Sequence, residues 1–269
     1  MTRIVSAAAL IAVLFATLWL LPPWATAILA AVVAALAGGE VAKMSGKLGA
    51  NVPTVFVGIA AATLAMAFVV YERRVPGSDD DTLGAVMLAL LVACGIVAMA
   101  LGPPSPASFG RAATLVMAPV YVGLPIGAVV WVHWVFGPAA TTWLLGLIAV
   151  SDSAQYYTGR AFGRRKLAPA ISPAKTVEGA IGGIVIATLV GGVSARWALP
   201  EVAPAAAAVL ALLLALVGIV GDLFESLLKR SAGVKDSSAL IPGHGGMLDR
   251  IDSYLFAAPV FYLFLRYLA

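Results

Sequence analysis

The chain has 269 residues, 62% of them hydrophobic and only 11% charged. A soluble domain carries about 25% charged residues, so this composition excludes an ordinary soluble protein and indicates a polytopic membrane protein. The net charge of +4 says little by itself, because charge distribution decides topology in a membrane protein. The single cysteine, Cys94, excludes a disulfide within the chain and reads as a small packing residue in an apolar run.

A helix needs about 20 apolar residues to cross a bilayer. In chain order, such segments are predicted over 4–21, 24–39, 52–71, 83–101, 112–136, 139–158, 177–198, 203–228 and 250–268. The expected fold class is therefore all-α, a polytopic membrane protein with about nine transmembrane helices. Pro22-Pro23 separates the first two segments, which suits a tight helical hairpin. Arg3, the apolar stretch and Ala25-Thr26-Ala27 could pass for a signal peptide, but a second apolar run follows the prolines directly. Two regions are expected: 1–110 as structural, lipid-facing helices, and 111–269 as a catalytic membrane region with a polar site at the cytoplasmic face. No repeat or low-complexity tail stands out.

With nine spans, thirteen of the 17 basic residues fall on one side of the membrane. They include Lys43, Lys47, Arg111, Arg160, Arg164, Arg165, Lys166 and Lys175, then Lys229, Arg230, Lys235 and Arg250. Arg73, Arg74, Arg196 and Arg266 fall on the other. The positive-inside bias places the N-terminus and the basic loops in the cytoplasm, in an inner or plasma membrane.

The thirteen acids divide in the same way. Glu40, Glu72, Asp79, Asp80, Asp81 and Glu201 are expected at loops or span ends, as solvated surface. Asp152, Glu178, Asp222, Glu225, Asp236, Asp249 and Asp252 gather at the cytoplasmic ends of the last four spans. Acids in such places are costly, hence functional candidates. Asp222 and Glu225 are three apart, as are Asp249 and Asp252, so each pair shares a helix face. Converging carboxylates suit Mg²⁺, with substrate phosphates completing its coordination. The competing reading is ion pairing, Glu225 with Lys229 and Asp249 or Asp252 with Arg250. It does not reach Asp222, which has no basic residue within five positions.

Between the pairs lie Lys229, Arg230 and Lys235, then Pro242-Gly243-His244-Gly245-Gly246. Glycine turns let backbone N–H groups approach an anion, and Lys and Arg bind phosphate. His244 could act as a base, a phosphate ligand or a turn cap. Upstream, Asp152–Gly163 and Ile171-Ser172-Pro173-Ala174-Lys175-Thr176-Val177-Glu178-Gly179 form a second polar stretch. Ser172 before proline reads as a helix N-cap, with Thr176 as the alternative. Either way Lys175 sits at a helix N-terminus, where anions are favoured. Arg164, Arg165 and Lys166 read as topology and lipid-contact charges.

The run Ser226–Asp252 resembles the signature of phosphatidate cytidylyltransferase, also called CDP-diacylglycerol synthase: S-x-L-K-R-x4-K-D-x-S-x2-I-P-x-H-G-G-M-x-D-R-I-D. The chain fits it at each specified position. The stretch from Asp152 to Gly179 is similar to that family's middle region, with Gln155 where a small residue is more usual. The apolar N-terminal half carries no specific motif. The resemblance implies the reaction of CTP with phosphatidic acid to give CDP-diacylglycerol and pyrophosphate, a requirement for Mg²⁺ and a homodimer in the membrane. It implies Asp222 and Asp249 as metal ligands and allows a potassium ion at the same site. Glu225 and Asp252 are then candidate further ligands. Lys175, Lys229, Arg230, Lys235 and Arg250 are candidates for substrate phosphates, and His244, Gly245, Gly246, Lys235 and Asp236 for the nucleotide pocket. The expected partners are CTP, phosphatidic acid and membrane lipids, with no nucleic acid. A CTP-dependent prenol or lipid kinase and a secondary transporter with an acidic ion site are the alternatives.

Overall fold

A computed structural model describes residues 2–72, 82–243 and 245–268, without side chains at 2–5, 7 and 68–72. Arg73, Arg74, the acidic patch Asp79-Asp80-Asp81 and His244 lie outside the described residues. The described chain forms α1 (Thr2–Trp19), α2 (Pro23–Lys47), α3 (Thr54–Glu72), α4 (Thr82–Ala100) and α5 (Ser108–Phe162). A hairpin of β1 (Lys166–Ala168) and β2 (Ser172–Thr176) follows, then α6 (Val177–Ala198), α7 (Pro204–Ser231) and α8 (Leu248–Tyr267).

This is an all-α membrane protein. Helices α2, α4, α5, α6 and α7 are long and apolar enough to cross a bilayer. The described apolar stretches of α1 and α3, Ala8–Trp19 and Thr54–Ala67, are shorter. Helix α8 does not join that set, because Asp249, Arg250 and Asp252 occupy its first turns and Arg266 its last. Helix α6 has an inverted packing pattern that suits a lipid solvent. Gly183, Ala187, Gly191 and Ala195 face inward and are buried, whereas Ile181, Val185, Leu189 and Val193 face outward. Small residues let membrane helices approach closely, while lipid tails solvate the large ones.

Helix α5 is broken at Gly137, where φ is 78° and ψ is −173°. Glycine takes that conformation without steric cost, and Pro138 removes the N–H that would continue the helix. The predicted gap between 112–136 and 139–158 falls on this break.

The chain divides into two compact units. One holds Met1–Trp134 and Ser231–Ile251; the other holds Val135–Arg230 and Asp252–Ala269. The first is rich in buried small residues: Ala34, Ala37, Ala60 and Ala61 are buried, as are Leu64, Leu115 and Val122. In the second, Trp143 stacks on Phe261 with centroids 5.5 Å apart and donates from Nε1 to the Ser194 hydroxyl at 3.1 Å. Leu144, Ile148, Leu210 and Leu214 complete that core.

Two local expectations are corrected. The segment after Ser172 is a strand, not a helix, and Thr176 caps α6 by accepting from the Gly179 N–H. Lys166 pairs with Thr176 and Ala168 with Ser172 in an antiparallel register, which holds the chain extended through Pro173. Lys175 therefore lies one residue before the cap. Helix α2 continues past the predicted end at 39 to Lys47, which changes the surroundings of Glu40.

Candidate functional site

In the first unit, the signature segment folds into a turn that leads into α8. The Ile241 N–H donates to the Gly245 carbonyl at 2.8 Å. Gly245 has φ 81°, and a Cβ there would stand 2.7 Å from Asp249 Oδ2. The position thus needs glycine for both conformation and space. Asp249, in the first turn of α8, ties the turn together. Its Oδ2 accepts from the Ser237 N–H at 2.9 Å, the Ser237 hydroxyl at 2.8 Å and the Gly246 N–H at 2.7 Å.

The turn borders an open, mainly polar cavity of about 580 Å³. Lys235, Asp236, Ser238, Gly243, Gly245 and Arg250 line it. Lys235, Asp236 and Arg250 are exposed there. Two cations beside a glycine turn form a surface that can take a polyanion.

Beneath the turn lies a residue that sequence reasoning misassigned. Glu40 of α2 was expected at the solvated surface; it is 3% exposed. Its Oε1 accepts from the Ser238 hydroxyl at 2.6 Å and the Met247 N–H at 3.0 Å. Its Oε2 accepts from the Leu248 N–H at 2.8 Å and shares the Ser237 hydroxyl, 3.0 Å away, with Asp249 Oδ2. The first N–H groups of a helix have no partner within the helix, and the helix dipole favours an anion there. A carboxylate from α2 fills that role for α8. The available signal was a lone acid followed directly by Val41 and Ala42 within an apolar helix.

In the second unit, Lys175 and Asp222 form an ion pair with side chains 20% and 27% exposed. The sequence-distant Lys175 supplies the basic partner that no nearby residue could give Asp222. Asp222 lies within electrostatic reach of both Asp152 and Asp252, and Lys175 also acts on Asp152. Asp152 accepts from Gln155 Nε2 at 3.1 Å and from the Ser253 hydroxyl at 3.5 Å. Asp252 accepts from the Ser253 N–H at 2.8 Å. Lys175 thus acts on Asp222 and Asp152, while Lys229 acts on Asp252. Among the described residues, no group of three or more His, Cys, Asp or Glu side chains is already drawn together as a metal-ligand set.

Glu225 is fully buried and pairs with Lys229 at 2.5 Å, the ion pair that the i,i+4 spacing allowed. Arg230 donates from Nε to the Ile171 carbonyl at 3.4 Å, tying α7 to the hairpin. Glu178 accepts from the Arg164 and Arg165 N–H groups at 2.9 and 3.1 Å, and pairs with the Arg165 side chain at 3.3 Å. These contacts hold the start of α6 to the hairpin, whose strand β2 delivers Lys175.

Gly221 brings α7 against α8 beside these acids. A Cβ there would lie 2.7 Å from the Asp252 carbonyl and 3.2 Å from the Phe256 side chain. Replacing a helical glycine relieves about 0.5–1 kcal/mol of backbone cost, but overpacking against a backbone carbonyl costs about 1–3 kcal/mol. Gly221→Val is therefore expected to lower the thermal unfolding midpoint by several degrees in detergent. An unchanged or higher midpoint contradicts this packing.

Comparison with known proteins places the chain. The cytidylyltransferase family model matches residues 1–268. The chain belongs to the cytidylyltransferase family. Its relatives include a phosphatidate cytidylyltransferase of Thermotoga maritima, 37% identical over 196 residues, which are 67% of this chain and 69% of that protein. The phosphatidate cytidylyltransferase of Haemophilus influenzae is 44% identical over 122 residues, or 44% of this chain and 42% of that protein. An uncharacterized protein, YnbB of Escherichia coli, is 46% identical over 137 residues, or 49% of this chain and 44% of that protein. Against the latter two, the match spans less than half the relative's length.

Proposed function

We propose that this cytidylyltransferase-family protein converts CTP and phosphatidic acid to CDP-diacylglycerol and pyrophosphate at the cytoplasmic face of the membrane. The observation that carries the reading is the signature run from Ser226 to Asp252, folded as a cation-lined glycine turn beside a polar cavity in a membrane protein. The names of the Thermotoga and Haemophilus relatives support it. The location of thirteen of the 17 basic residues supports the cytoplasmic orientation. The break at Gly137 divides α5 into two lengths that can each cross the bilayer, which favours nine crossings. A homodimer is the expected assembly.

In this reading a phosphate oxygen of phosphatidic acid attacks the α-phosphorus of CTP. The bond between the α-phosphorus and its bridging oxygen breaks, and pyrophosphate leaves with the electron pair. The nucleophile is already ionised, so no strong base is required. Both reactants are anions, so the protein's main task is to position them and offset charge. Lys235 and Arg250 hold nucleotide phosphates in the polar cavity, with Asp236 and Gly245 shaping it; Gly246 and His244 remain candidates for the nucleotide pocket. Lys175, Lys229 and Arg230 are the candidates for the lipid phosphate.

The donor chemistry fits Mg²⁺. Asp152, Asp222 and Asp252 are hard oxygen ligands, and the Lys175 ammonium that acts on Asp222 and Asp152 marks where a cation is stabilised. Mg²⁺ needs only one or two carboxylates when substrate phosphates supply further oxygens. Asp222 in the second unit, supported by Asp152 and Asp252, and Asp249 in the first unit are the candidate metal ligands. Bound Mg²⁺ would supply neutralisation of the nucleotide phosphates and of charge on the leaving group.

The test is an omission series on the purified full-length protein. CDP-lipid should form with CTP, phosphatidic acid and Mg²⁺, and should vanish when EDTA replaces Mg²⁺ or a prenol replaces phosphatidic acid. CDP with a phosphorylated alcohol would select the lipid-kinase alternative. Solute flux in liposomes without turnover would select the transporter.

A further inference from the structure

We propose that Glu40 is a positioning residue for nucleotide binding: it fixes the cavity-lining turn and the start of α8 in the shape that receives CTP. This rests on the reading of the polar cavity as the CTP pocket. Among the described residues Glu40 contacts no cavity-lining cation, and so it acts through the groups it holds.

Its four partners bracket the signature turn. Ser237 and Ser238 stand at its beginning, and Met247 and Leu248 at its end. Ser238 lines the cavity itself, and Gly245 and Arg250 lie within three residues of Met247 or Leu248. One buried carboxylate thus joins both ends of the turn. The space is tight as well: a Cβ on Gly246 would lie 2.6 Å from each Glu40 oxygen. The two backbone donors are divided between the two oxygens, Met247 on Oε1 and Leu248 on Oε2.

That division makes Glu40→Gln an informative variant. Whichever way the amide turns, its NH₂ group faces a backbone N–H, which cannot accept a hydrogen bond. Leaving a buried donor unpaired is expected to weaken the affected state by about tenfold. The loss should appear on the nucleotide side of the reaction, where the turn contributes its lining.

The experiment measures KM for CTP, KM for phosphatidic acid and backbone amide exchange across 237–248 in the full-length protein. For Glu40→Gln we expect KM for CTP to rise about tenfold, with KM for phosphatidic acid changed less than about twofold. Exchange at Met247 and Leu248 should accelerate. Glu40→Asp retains two acceptor oxygens and should recover part of the CTP affinity. If Glu40→Gln does not fold, Ser238→Ala removes the 2.6 Å hydroxyl contact to Glu40 together with the bond that the same hydroxyl accepts from the Leu240 N–H. It should raise KM for CTP in the same direction by a smaller factor.

An unchanged KM for CTP in a folded Glu40→Gln protein overturns the proposal, as does an equal rise in both KM values. In the second variant, an unchanged KM for CTP overturns it too. If the wild-type protein makes no CDP-lipid, the functional reading fails instead. Amide exchange then still decides whether Glu40 holds the turn.

Discussion

Asp249→Asn is expected to abolish Mg²⁺-dependent CDP-diacylglycerol formation while leaving the protein folded. The geometry makes this substitution discriminating. The Ser237 N–H, the Ser237 hydroxyl and the Gly246 N–H converge on Asp249 Oδ2. An asparagine can place its one carbonyl oxygen there and keep all three bonds, so the turn should survive. What disappears is the charge and the second acceptor oxygen. Loss of one preorganised electrostatic group in a transfer site costs about 10²–10³ in kcat, and a metal ligand belongs at or above that range. The measurement is kcat in membranes or detergent, alongside the thermal midpoint. Near-normal turnover with an unchanged midpoint would reduce Asp249 to a turn fastener and remove it from the metal site.

Asp222→Asn should lower turnover by a similar factor, about 10²–10³, for a partly different reason. Asp222 pairs with Lys175 and lies near Asp152 and Asp252. If its role were only that ion pair, its worth would be modest. Partly exposed pairs contribute about 0–1 kcal/mol, and removing both partners would restore function. The metal reading predicts otherwise. In Asp222→Asn/Lys175→Met, turnover should stay as low as in the single variant or fall further, since Lys175 is itself a candidate for substrate phosphate. Recovery in the double variant to within about threefold of wild type would show that the acid serves the lysine alone.

The helices were readable because lipid imposes a length and a composition on them. The break at Gly137-Pro138 was also legible, since both residues act on their own backbone. Fitting a charged start to a span was harder: α8 is helical as expected, but its polar first turns serve the signature turn. Local polar sequence was less decisive around Ser172. Cap chemistry there competed with strand pairing to Lys166–Ala168, and cross-strand partners are not encoded in the cap motif. The basic partner of Asp222 came from beyond the window in which neighbours can be counted. Glu40 was missed for a related reason. Its partners sit some 200 residues away, and a span boundary drawn at 39 made it look terminal. The apolar residues directly after it were the local hint that the helix had not ended.

The signature itself was legible as chemistry before any fold was known, because its residue types are costly beside a membrane. Its internal division of labour was not. Spacing paired Asp249 with Asp252 on one helix face. The structure shows Asp249 holding backbone donors of the turn and Asp252 associated with Asp152 and Asp222.

The most direct measurement follows the two ends of the nucleotide. Purified full-length protein is supplied with Mg²⁺, phosphatidic acid and CTP labelled separately at the α- and γ-phosphorus. The α-label is expected to enter a lipid extractable into organic solvent while the γ-label leaves as pyrophosphate, in equal amounts. Transfer of the γ-label to the lipid, with the α-label left in CDP, would contradict it.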